Sequence, residues 1–239
     1  MGRICKNDIT DHIRDHFGAN PLKAPEARIQ PLCMLEVDRS KPSYLGEFKY
    51  LVKNGFPHDV PIQEEPVASV SDKQSKITDF ETGFQILSGF LKVLGVDPAS
   101  VGAAFKKSKK MAFSFQNVRR RYIDPLQFGM ILSQNNVLGD PDNFILSKAI
   151  KDKKVQLGLI TDVMVSNNFS ISTFSESEIG VNVEVPLIQE AISGLNINVK
   201  VNKTAENVVA FEAPYDLSFA FSALELIIDP QTGKFSRGN

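Results

Sequence analysis

The feature that most constrains the fold of this chain is the alternation of apolar and polar residues between Val155 and Asp229. The segments that carry it are VQLGLITDVMV, FSISTF, IGVNVEV, LNINVKV, VVAFEA and LSFAFSALELIID. Because successive side chains of a β-strand point to opposite faces, this period of two predicts long antiparallel strands. The segment PLIQEAISG interrupts the alternation and predicts one or two turns of helix.

The residues before Val155 combine helices with further strands. Helices are predicted at 7–18 and at 78–95, the latter with Thr78 as the cap and Gly95 as the stop. A further helix is predicted from Asp97 onwards, with Asp97 as the cap and Pro98 at the first helical position. Helices at 124–135 and 140–150 are also predicted, because DPLQFGMILSQN and DPDNFILSKAI both open with Asp-Pro or Asp-x-Asp caps. Strands are predicted at RIQPLCMLEV, at KKMAFSFQNVRRRYI and at YLGEFKYLV, which also suits a short amphipathic element. With 239 residues, 42% of them hydrophobic, the chain can bury one large core. The predicted fold class is α+β, with a twisted, mostly antiparallel central sheet flanked by helices.

The stretch from Lys53 to Lys76 differs from its neighbours in composition. It is rich in proline and poor in large apolar side chains. Because proline cannot donate a hydrogen bond to a β-ladder, this stretch is predicted to be an exposed loop or a loosely paired hairpin.

Charge and cysteine content exclude several classes of protein. The chain has 27 basic and 28 acidic residues, so no global field marks it as a nucleic-acid binder. The cysteines, Cys5 and Cys33, supply neither a disulfide framework nor a CxxC metal pair, and Cys33 is predicted to lie in the core. The N-terminus lacks a signal-peptide pattern, and no window approaches the roughly 18 consecutive apolar residues of a membrane-spanning helix. These features favour a cytosolic protein.

The sequence offers little for catalysis. The histidines His12, His16 and His58 stand outside the motifs of hydrolases, zinc proteases and P-loop enzymes. Cys5 could in principle pair with a histidine, but the short N-terminal helix shows no group that would orient such a pair. We therefore expect no catalytic residue, no metal site and no enzyme activity.

Two of the alternating segments have one aliphatic and one polar face. The aliphatic residues are Ile179, Val181, Val183 and Val185 in the first segment and Leu195, Ile197, Val199 and Val201 in the second. An ordinary sheet that covers a core on one face has this pattern. A strand pair that enters a bilayer has it as well, with its apolar face on lipid and its polar face on water. A tilted membrane strand needs about 9 to 11 residues, and the stretch from Ile160 to Val185 is long enough.

Basic residues cluster around one of the predicted strands. They are Lys106, Lys107, Lys109, Lys110, Arg119, Arg120 and Arg121, with no acidic residue among them. A further patch comprises Lys148, Lys151, Lys153 and Lys154, offset by Asp152. These are either solvated ends of helices and strands or a surface for anionic lipid, where each basic residue is worth about 1 kcal/mol. Nucleic acid is a weaker candidate, because the chain has no recognisable binding signature, no Trp and four Tyr for base stacking.

The order of the elements is itself distinctive. A short N-terminal helix precedes a strand with PLCMLEV, a Pro-rich segment, an amphipathic helix and a strand with MAFSFQNV. LITDVMVSNNFSI and LSFAFSALELII then follow. This order resembles the pore-forming domain of gasdermins over nearly the whole chain, and the last two segments look like the family's VVTEVL strand and its closing strand. The length is similar to that of the small bacterial gasdermins, which lack a large second helical domain.

The resemblance implies a function and a division of the chain. It implies an autoinhibited monomer with a pore-forming domain at 1–228 and a short inhibitory tail at 229–239. A protease encoded nearby would cut the tail, with Lys234 and Arg237 as candidate cleavage positions. The cut protein would oligomerise into a membrane β-barrel and kill the infected cell as an antiphage defence.

The same resemblance implies where the protein meets its partners. It would be cytoplasmic when inactive and would bind inner-membrane lipids when active. The membrane-inserting hairpins would lie around 50–77 and around 164–211, and the second range contains the aliphatic residues named above. The basic residues between Lys106 and Arg121 would contact lipid, and we expect no nucleic acid.

Cys5 also gains a role from the resemblance. Bacterial gasdermins carry a palmitoylated cysteine near their start, and Cys5 lies at the matching place beside Arg3 and Lys6. Gly2 does not complete a myristoylation pattern, because Lys6 stands where Ser or Thr is required. We expect a covalent palmitoyl group on Cys5 and no other cofactor.

A different function stays open at this point. A non-enzymatic, soluble binding or scaffold module could use the basic face for nucleic acid or protein. A neighbouring protease gene would favour the pore-forming protein. Salt-sensitive binding to nucleic acid without leakage of liposomes would favour the module.

Overall fold

The computed structural model of the protein describes residues 14, 19–38, 41–53, 55–56, 60–72, 74–151, 155–193, 195 and 198–237. Its strands are β1 (Asn20–Glu26), β2 (Cys33–Asp38), β3 (Lys41–Glu47), β4 (Gln63–Pro66), β5 (Thr78–Asp79), β6 (Lys110–Gln116), β7 (Arg119–Tyr122), β8 (Val155–Phe174), β9 (Lys200–Ala205), β10 (Val208–Ile228) and β11 (Phe235–Arg237). Its helices are α1 (Phe80–Val93), α2 (Pro98–Gly102), α3 (Pro125–Gln134), α4 (Phe144–Lys151) and α5 (Val185–Ser193), and there are short 3-10 turns at Phe48–Leu51 and Ala103–Phe105. Outside the described residues lie Cys5, Ile197, Lys153, Lys154, the histidines and most of the helix predicted at 7–18.

Two long strands form the middle of the sheet. β8 has 20 residues and β10 has 21, and they pair antiparallel from Ser172 with Val208 to Leu157 with Leu226. The other edge of β8 is occupied by β6 and β7 towards its C-terminal end and by β2 towards its start. The other edge of β10 carries β9, β1 and β11. Every pair is antiparallel, and the α+β prediction is confirmed.

The helices begin where the sequence provides caps. Asp97 and Asp124 each accept hydrogen bonds from the first backbone N–H groups of α2 and α3, and a proline follows each of them as predicted. At α1 the predicted cap, Thr78, is wrong: Asp79 accepts the hydrogen bond from Thr82 N. The predicted stop at Gly95 is confirmed, since this glycine has φ of 80° directly after the end of α1.

The described residues form a core of two large hydrophobic clusters and one small one. The first cluster lies between the sheet and α1, α2 and α5, and contains stacked rings such as Phe90 on Phe169, 4.1 Å between centroids. The second cluster lies under α3, α4 and β11 and contains Phe48 and Phe128. The third lies on β2 and β8 and includes Cys33, which is 3% exposed and confirms the prediction of a core thiol.

The structure corrects the predicted strands at 179–185 and 195–201. Gly180 forms one isolated bridge, 181–184 is irregular, Val185 begins α5, and regular pairing resumes only at Lys200. β8 offers these residues no free edge, because residues such as Ser172 already pair with β6 on one side and with β10 on the other. The apolar–polar alternation of these residues therefore did not predict whether a neighbouring strand was free to pair with them.

The strand predicted at KKMAFSFQNVRRRYI is divided into β6 and β7. The break falls at Asn117, whose φ of 51° belongs to the left-handed region and cannot continue a strand. Both halves still run along the same edge of β8. The Pro-rich segment before α1 contains the short strand β4, which is exposed as expected but pairs with the distant strand β7, so the predicted hairpin within this segment is not formed by its described residues. Val60, Val67 and Val70 of the segment are buried, so it is not wholly an exposed loop.

Candidate functional site

The segment between β8 and β10, residues 175–207, holds most of the predicted membrane-inserting residues. Val183, Val185 and Val201 are buried, Val181 and Val199 are half-buried, and Ile179 and Leu195 are exposed. Backbone hydrogen bonds fasten the first part irregularly: Val181 N donates to Thr173 O at 3.0 Å, and Val183 N donates to Glu206 O at 3.2 Å. The aliphatic face is therefore divided between the core and solvent in this structure.

Helix α5 covers one end of the long strands. Val185 and Ile188 are its buried residues, and Ala191 and Ile192 are partly buried against the first cluster. The helix packs against α2, β9 and the turn at Ala103–Phe105. Two hydrogen bonds hold the helix in place. Glu184 N donates to Ala104 O at 3.2 Å, and Gln189 Nε2 donates to Val201 O at 3.1 Å.

One hydroxyl group on β8 near α5 holds the irregular segment, although the sequence pattern did not single it out. Thr173 is fully buried, and its Oγ1 donates to Val181 O at 2.6 Å and lies 3.3 Å from Asn207 O. Thr173 therefore ties the irregular segment to β8 by polar bonds, in addition to the packing of the buried valines.

The predicted basic strip is divided into two groups. Lys106, Lys107 and Lys109 are exposed at the turn before β6, and Lys110 forms an ion pair with Glu178 at 3.0 Å. The arginines lie on β7, nine residues further along the chain from Lys110. At about 3.3 Å per residue of strand the two groups are roughly 30 Å apart, so they do not form one continuous patch.

Each arginine of β7 is held by carboxylates, in contrast to the free lipid-binding groups that the sequence suggested. Arg119 and Arg121 both bond to Asp216, which lies on β10. Arg120 bonds to Asp162 on β8, with Nη2 3.0 Å from Oδ2. The hydrogen bond with Asp162 raises the pKa of Arg120, so the guanidinium is firmly charged.

A second set of carboxylates reaches the same arginines from β4. Glu64 lies 2.5 Å from Arg121 and 3.7 Å from Arg119, and Glu65 lies 3.3 Å from Arg120. The hydrogen bond from Arg121 lowers the pKa of Glu64, with burial opposing the shift. Sequence reasoning missed all of these partners because they are 42 to 97 residues away along the chain.

The candidate cleavage positions lie in a β-hairpin formed by β10 and β11. Lys234 is exposed, and its backbone O accepts a hydrogen bond from Asp229 N across the turn at 2.9 Å. It lies opposite Leu138 in an isolated bridge, where Gly139 N donates to Gly233 O at 2.8 Å. Arg237 pairs with Leu226. Gly233 has φ of 70°, and a Cβ at this position would lie 3.4 Å from Gly139 O, so glycine suits both the turn and the close approach.

Phe235 anchors this hairpin to the second hydrophobic cluster. Its ring meets that of Phe48 edge to face, with 5.1 Å between centroids. Between the hairpin and α3 lies a groove of about 430 Å³, with Phe128, Leu132 and Leu224 among its lining residues. The ring of Phe235, the ladder with β10 and the bridge to Leu138 therefore hold residues 229–237 in place.

Two other features are absent from the part of the chain that the structure describes. No helix among them is long and apolar enough to cross a membrane. No group of three or more His, Cys, Asp or Glu side chains in this part of the chain could hold a metal ion.

Known proteins resemble the chain over nearly its full length. The model of the Bacterial Gasdermin Family matches residues 22–234. A gasdermin from a Vitiosangium species is 25% identical over 225 residues, which cover 93% of this chain and 82% of that protein. One from a Desulfuromonadales bacterium is 25% identical over 231 residues, with 94% and 83% covered. The structure of a bacterial gasdermin from Bradyrhizobium tropiciagri has a similar fold, with a TM-score of 0.70, 16% identity and coverage of 97% and 90%.

Proposed function

Since the chain belongs to the bacterial gasdermin family, we propose that it is an autoinhibited protein that forms a membrane pore after proteolytic cleavage of its C-terminal tail. Family membership makes it a pore-forming cell-death effector, a class that is not enzymatic. The finer proposal is that the cut monomers oligomerise into a membrane β-barrel and that the resulting cell death defends against phage.

The observation that carries the proposal is the mismatch between pattern and structure in residues 175–207. This segment has the alternation of a membrane strand, yet most of it is irregular or helical. If α5 unfolds and β9 leaves the edge of β10, the segment can extend β8 and β10 beyond the sheet as one hairpin. A membrane strand needs about 9 to 11 residues, and the segment supplies enough for two.

In this extended hairpin the aliphatic residues would face lipid. They are Ile179, Val181, Val183, Val185, Leu195, Ile197, Val199 and Val201. Unfolding α5 exposes Ile188 and the buried valines, so the rearrangement is favourable only where lipid receives them. This couples insertion to the membrane surface.

The tail, residues 229–239, is the proposed inhibitory element, and a protease encoded nearby is the proposed activator. The exposed side chain of Lys234 and the position of Arg237 suit a protease that cuts after basic residues. Because Phe235 packs on the second cluster, loss of β11 would expose Phe48 and Leu226 and free the end of β10.

The proposed localisation follows the two states. The inactive protein would be cytoplasmic, and the active protein would lie in the inner membrane. A palmitoyl group on Cys5, the only cofactor proposed, would strengthen membrane binding, since each buried CH₂ adds about 0.8 kcal/mol. Intact mass of protein from its native host would test this modification directly.

Dye release from anionic liposomes tests the pore. Protein cut or truncated near residue 228 should release dye, whereas the uncut protein should not. Equal release by both forms, or release by neither, would contradict the proposal. Val181→Asp with Val199→Asp should abolish release from the cut form, because charges on the lipid face of a membrane strand are costly.

A matched variant controls for the added charge. Asn198→Asp with Asn202→Asp places the same charges on the polar face and should leave release intact. Circular dichroism should show both variants folded before cleavage, since Val181 and Val199 are only half-buried.

A further inference from the structure

The ladder between β8 and β10 stops at Thr173, at the base of the segment 175–207. Thr173 N donates to Asn207 O at 2.9 Å, as in a regular antiparallel pair, whose return bond would run from Asn207 N to Thr173 O. Thr173 O already accepts from Val181 N at 3.0 Å and from the side-chain Nδ2 of Asn207 at 3.3 Å. Because a carbonyl oxygen has two lone pairs, both of its acceptor positions are occupied.

The chain after β8 turns back on itself to make these contacts. Ser175 N donates to Ile179 O at 2.8 Å, and Ser175 Oγ accepts from Ile179 N at 3.2 Å. Glu178, within this turn, has φ of 62°, which belongs to the left-handed region and cannot continue a strand. The turn brings Val181 to the edge of β8 that a longer β10 would occupy.

Asn207 closes the contact from the other side. A Cβ on Gly180 would lie 2.9 Å from Cγ and Nδ2 of Asn207, so the amide of Asn207 packs directly on the glycine. The buried hydroxyl group of Thr173 donates to Val181 O as well. We call these contacts of Thr173, Gly180, Val181 and Asn207 the lock.

The register of the ladder beside the lock fits the extended hairpin. Ser172 pairs with Val208. Continued without a slip, this register places each aliphatic residue of the first alternating segment opposite one of the second. The pairs are Ile179 with Val201, Val181 with Val199, Val183 with Ile197, and Val185 with Leu195. A slip of one residue would place a polar residue or a glycine opposite each of them, so the sequence favours the register that the resting ladder already has.

We propose that the lock is a second restraint on the pore, which holds the ladder at its resting length and must open, after the tail has been removed, before the hairpin can extend in this register. All of its contacts lie between 173 and 207, so cleavage in the tail leaves them in place. This inference rests on the proposed function, since it concerns the regulation of the hairpin that would insert.

The first test keeps the lock closed with a disulfide. A Cβ on residue 180 would lie 3.2 Å from the Cβ of Asn207, close to the separation of about 3.5 to 4.5 Å in disulfides. Gly180→Cys with Asn207→Cys, in protein that also carries Cys5→Ser and Cys33→Ala, should therefore be bridged on oxidation. In the extended hairpin residue 180 would lie opposite Lys200, so the bridge prevents extension. The cut, oxidised protein should release almost no dye from anionic liposomes, and reduction should restore release.

The matched control is Ser172→Cys with Val208→Cys in the same background. These two residues are directly paired in the resting ladder and keep the same partner in the extended hairpin. Its oxidised and reduced forms should release dye equally after cleavage. Equal release by the oxidised and reduced forms of the 180–207 pair would overturn the inference. Loss of release in the oxidised control would overturn it as well, because any bridge on β8 would then block the pore.

The second test opens the lock without cysteines. Asn207→Ala removes the amide that donates to Thr173 O. Hydrogen exchange at Val181 in the uncut protein and dye release by the cut protein should each become about fivefold faster, as expected for the loss of one hydrogen bond. Asn202→Ala is the control, because it makes the same substitution at an exposed position of β9 and should change neither rate.

The two readouts of the second test must change together. Faster exchange without faster release would show that the lock does not limit the pore. Unchanged exchange at Val181 would show that Asn207 does not hold the segment. Either result would overturn the inference.

The lock and the pore fail in different ways. If the unmodified protein releases no dye after cleavage, the proposed function is wrong, whatever the exchange at Val181. If the unmodified protein releases dye and the oxidised 180–207 pair releases it equally, the pore stands and the lock is wrong.

Discussion

The two ends of the long strand pair β8 and β10 are covered by short elements of different kinds. At one end lies α5, which is connected on both sides to segments with a strand pattern and whose buried residues are Val185 and Ile188. At the other end β11 follows β10 and is anchored through Phe235. We call α5 and β11 the two covers. In the proposed extended hairpin α5 must change from helix to strand, whereas β11 only has to dissociate from the end of β10.

The two covers also differ in how they are fastened. α5 sits on the first cluster, and the segment before it is bonded to β8, to Glu206 and to Ala104. β11 depends on a ladder with the end of β10, a turn, one ring and the isolated bridge to Leu138. Local opening follows buried apolar area and hydrogen bonding, so the α5 end should be the more stable of the two.

The largest loss of stability is expected from Ile188→Ala, which removes the buried side chain that packs α5 on the first cluster. Ile188 is fully buried, and removing a buried isoleucine side chain down to alanine costs about 2 to 5 kcal/mol of unfolding free energy. Urea denaturation measures this loss, and hydrogen exchange should increase at 181–193 while β11 stays protected. Leu187→Ala is the control, since Leu187 is 39% exposed and its loss should cost below about 1 kcal/mol. Equal losses of unfolding free energy in the two variants would show that Ile188 does not anchor α5.

A smaller loss of stability is expected from Phe235→Ala, which removes the ring that packs β11 on the second cluster. The ring is half-buried, so its loss should cost about 1 to 2 kcal/mol, less than for a fully buried phenylalanine. Exchange should increase at 226–237, and trypsin should cut at Lys234 several times faster, with α5 unaffected. Ser236→Ala, at an exposed neighbouring position, should change neither rate. Loss of protection in α5 as well would show that the two covers open together.

The sequence was sufficient to predict the features that depend on neighbouring residues. The caps at Asp97 and Asp124, each followed by proline, and the stop at Gly95 are local and were predicted correctly. The period of two also predicted the chain of β8 and β10, although it divided each into shorter pieces. A strand of 20 residues with bulged pairing shows the same pattern as two shorter strands.

The features that depend on distant partners could not be predicted in this way. The pattern at 179–185 is that of a strand, but strand formation needs an open edge, and both edges of β8 were already taken. The charge of Arg119 to Arg121 was evident, while the carboxylates of β4, β8 and β10 that neutralise them were not. Both differences arise because a sheet brings together residues that lie far apart in the chain.

The smallest expected effect is a pH dependence confined to the β11 end. Backbone N–H groups of Gln231 and Thr232 donate to Asp229 and lower the pKa of its carboxyl group. A carboxyl whose pKa is lowered by folding stabilises the turn above its unfolded pKa of about 4, and this contribution is lost as the pH falls through the lower folded value. The amide of Gly233, which donates to Asp229 O at 2.8 Å, should therefore exchange faster below about pH 4 after correction for intrinsic rates. Asp229→Ala should remove this step and leave the amides of α5 unchanged. If the increase in exchange below about pH 4 persisted in the alanine variant, a group other than Asp229 would be responsible. The predicted pH dependence of the β11 end would then be wrong.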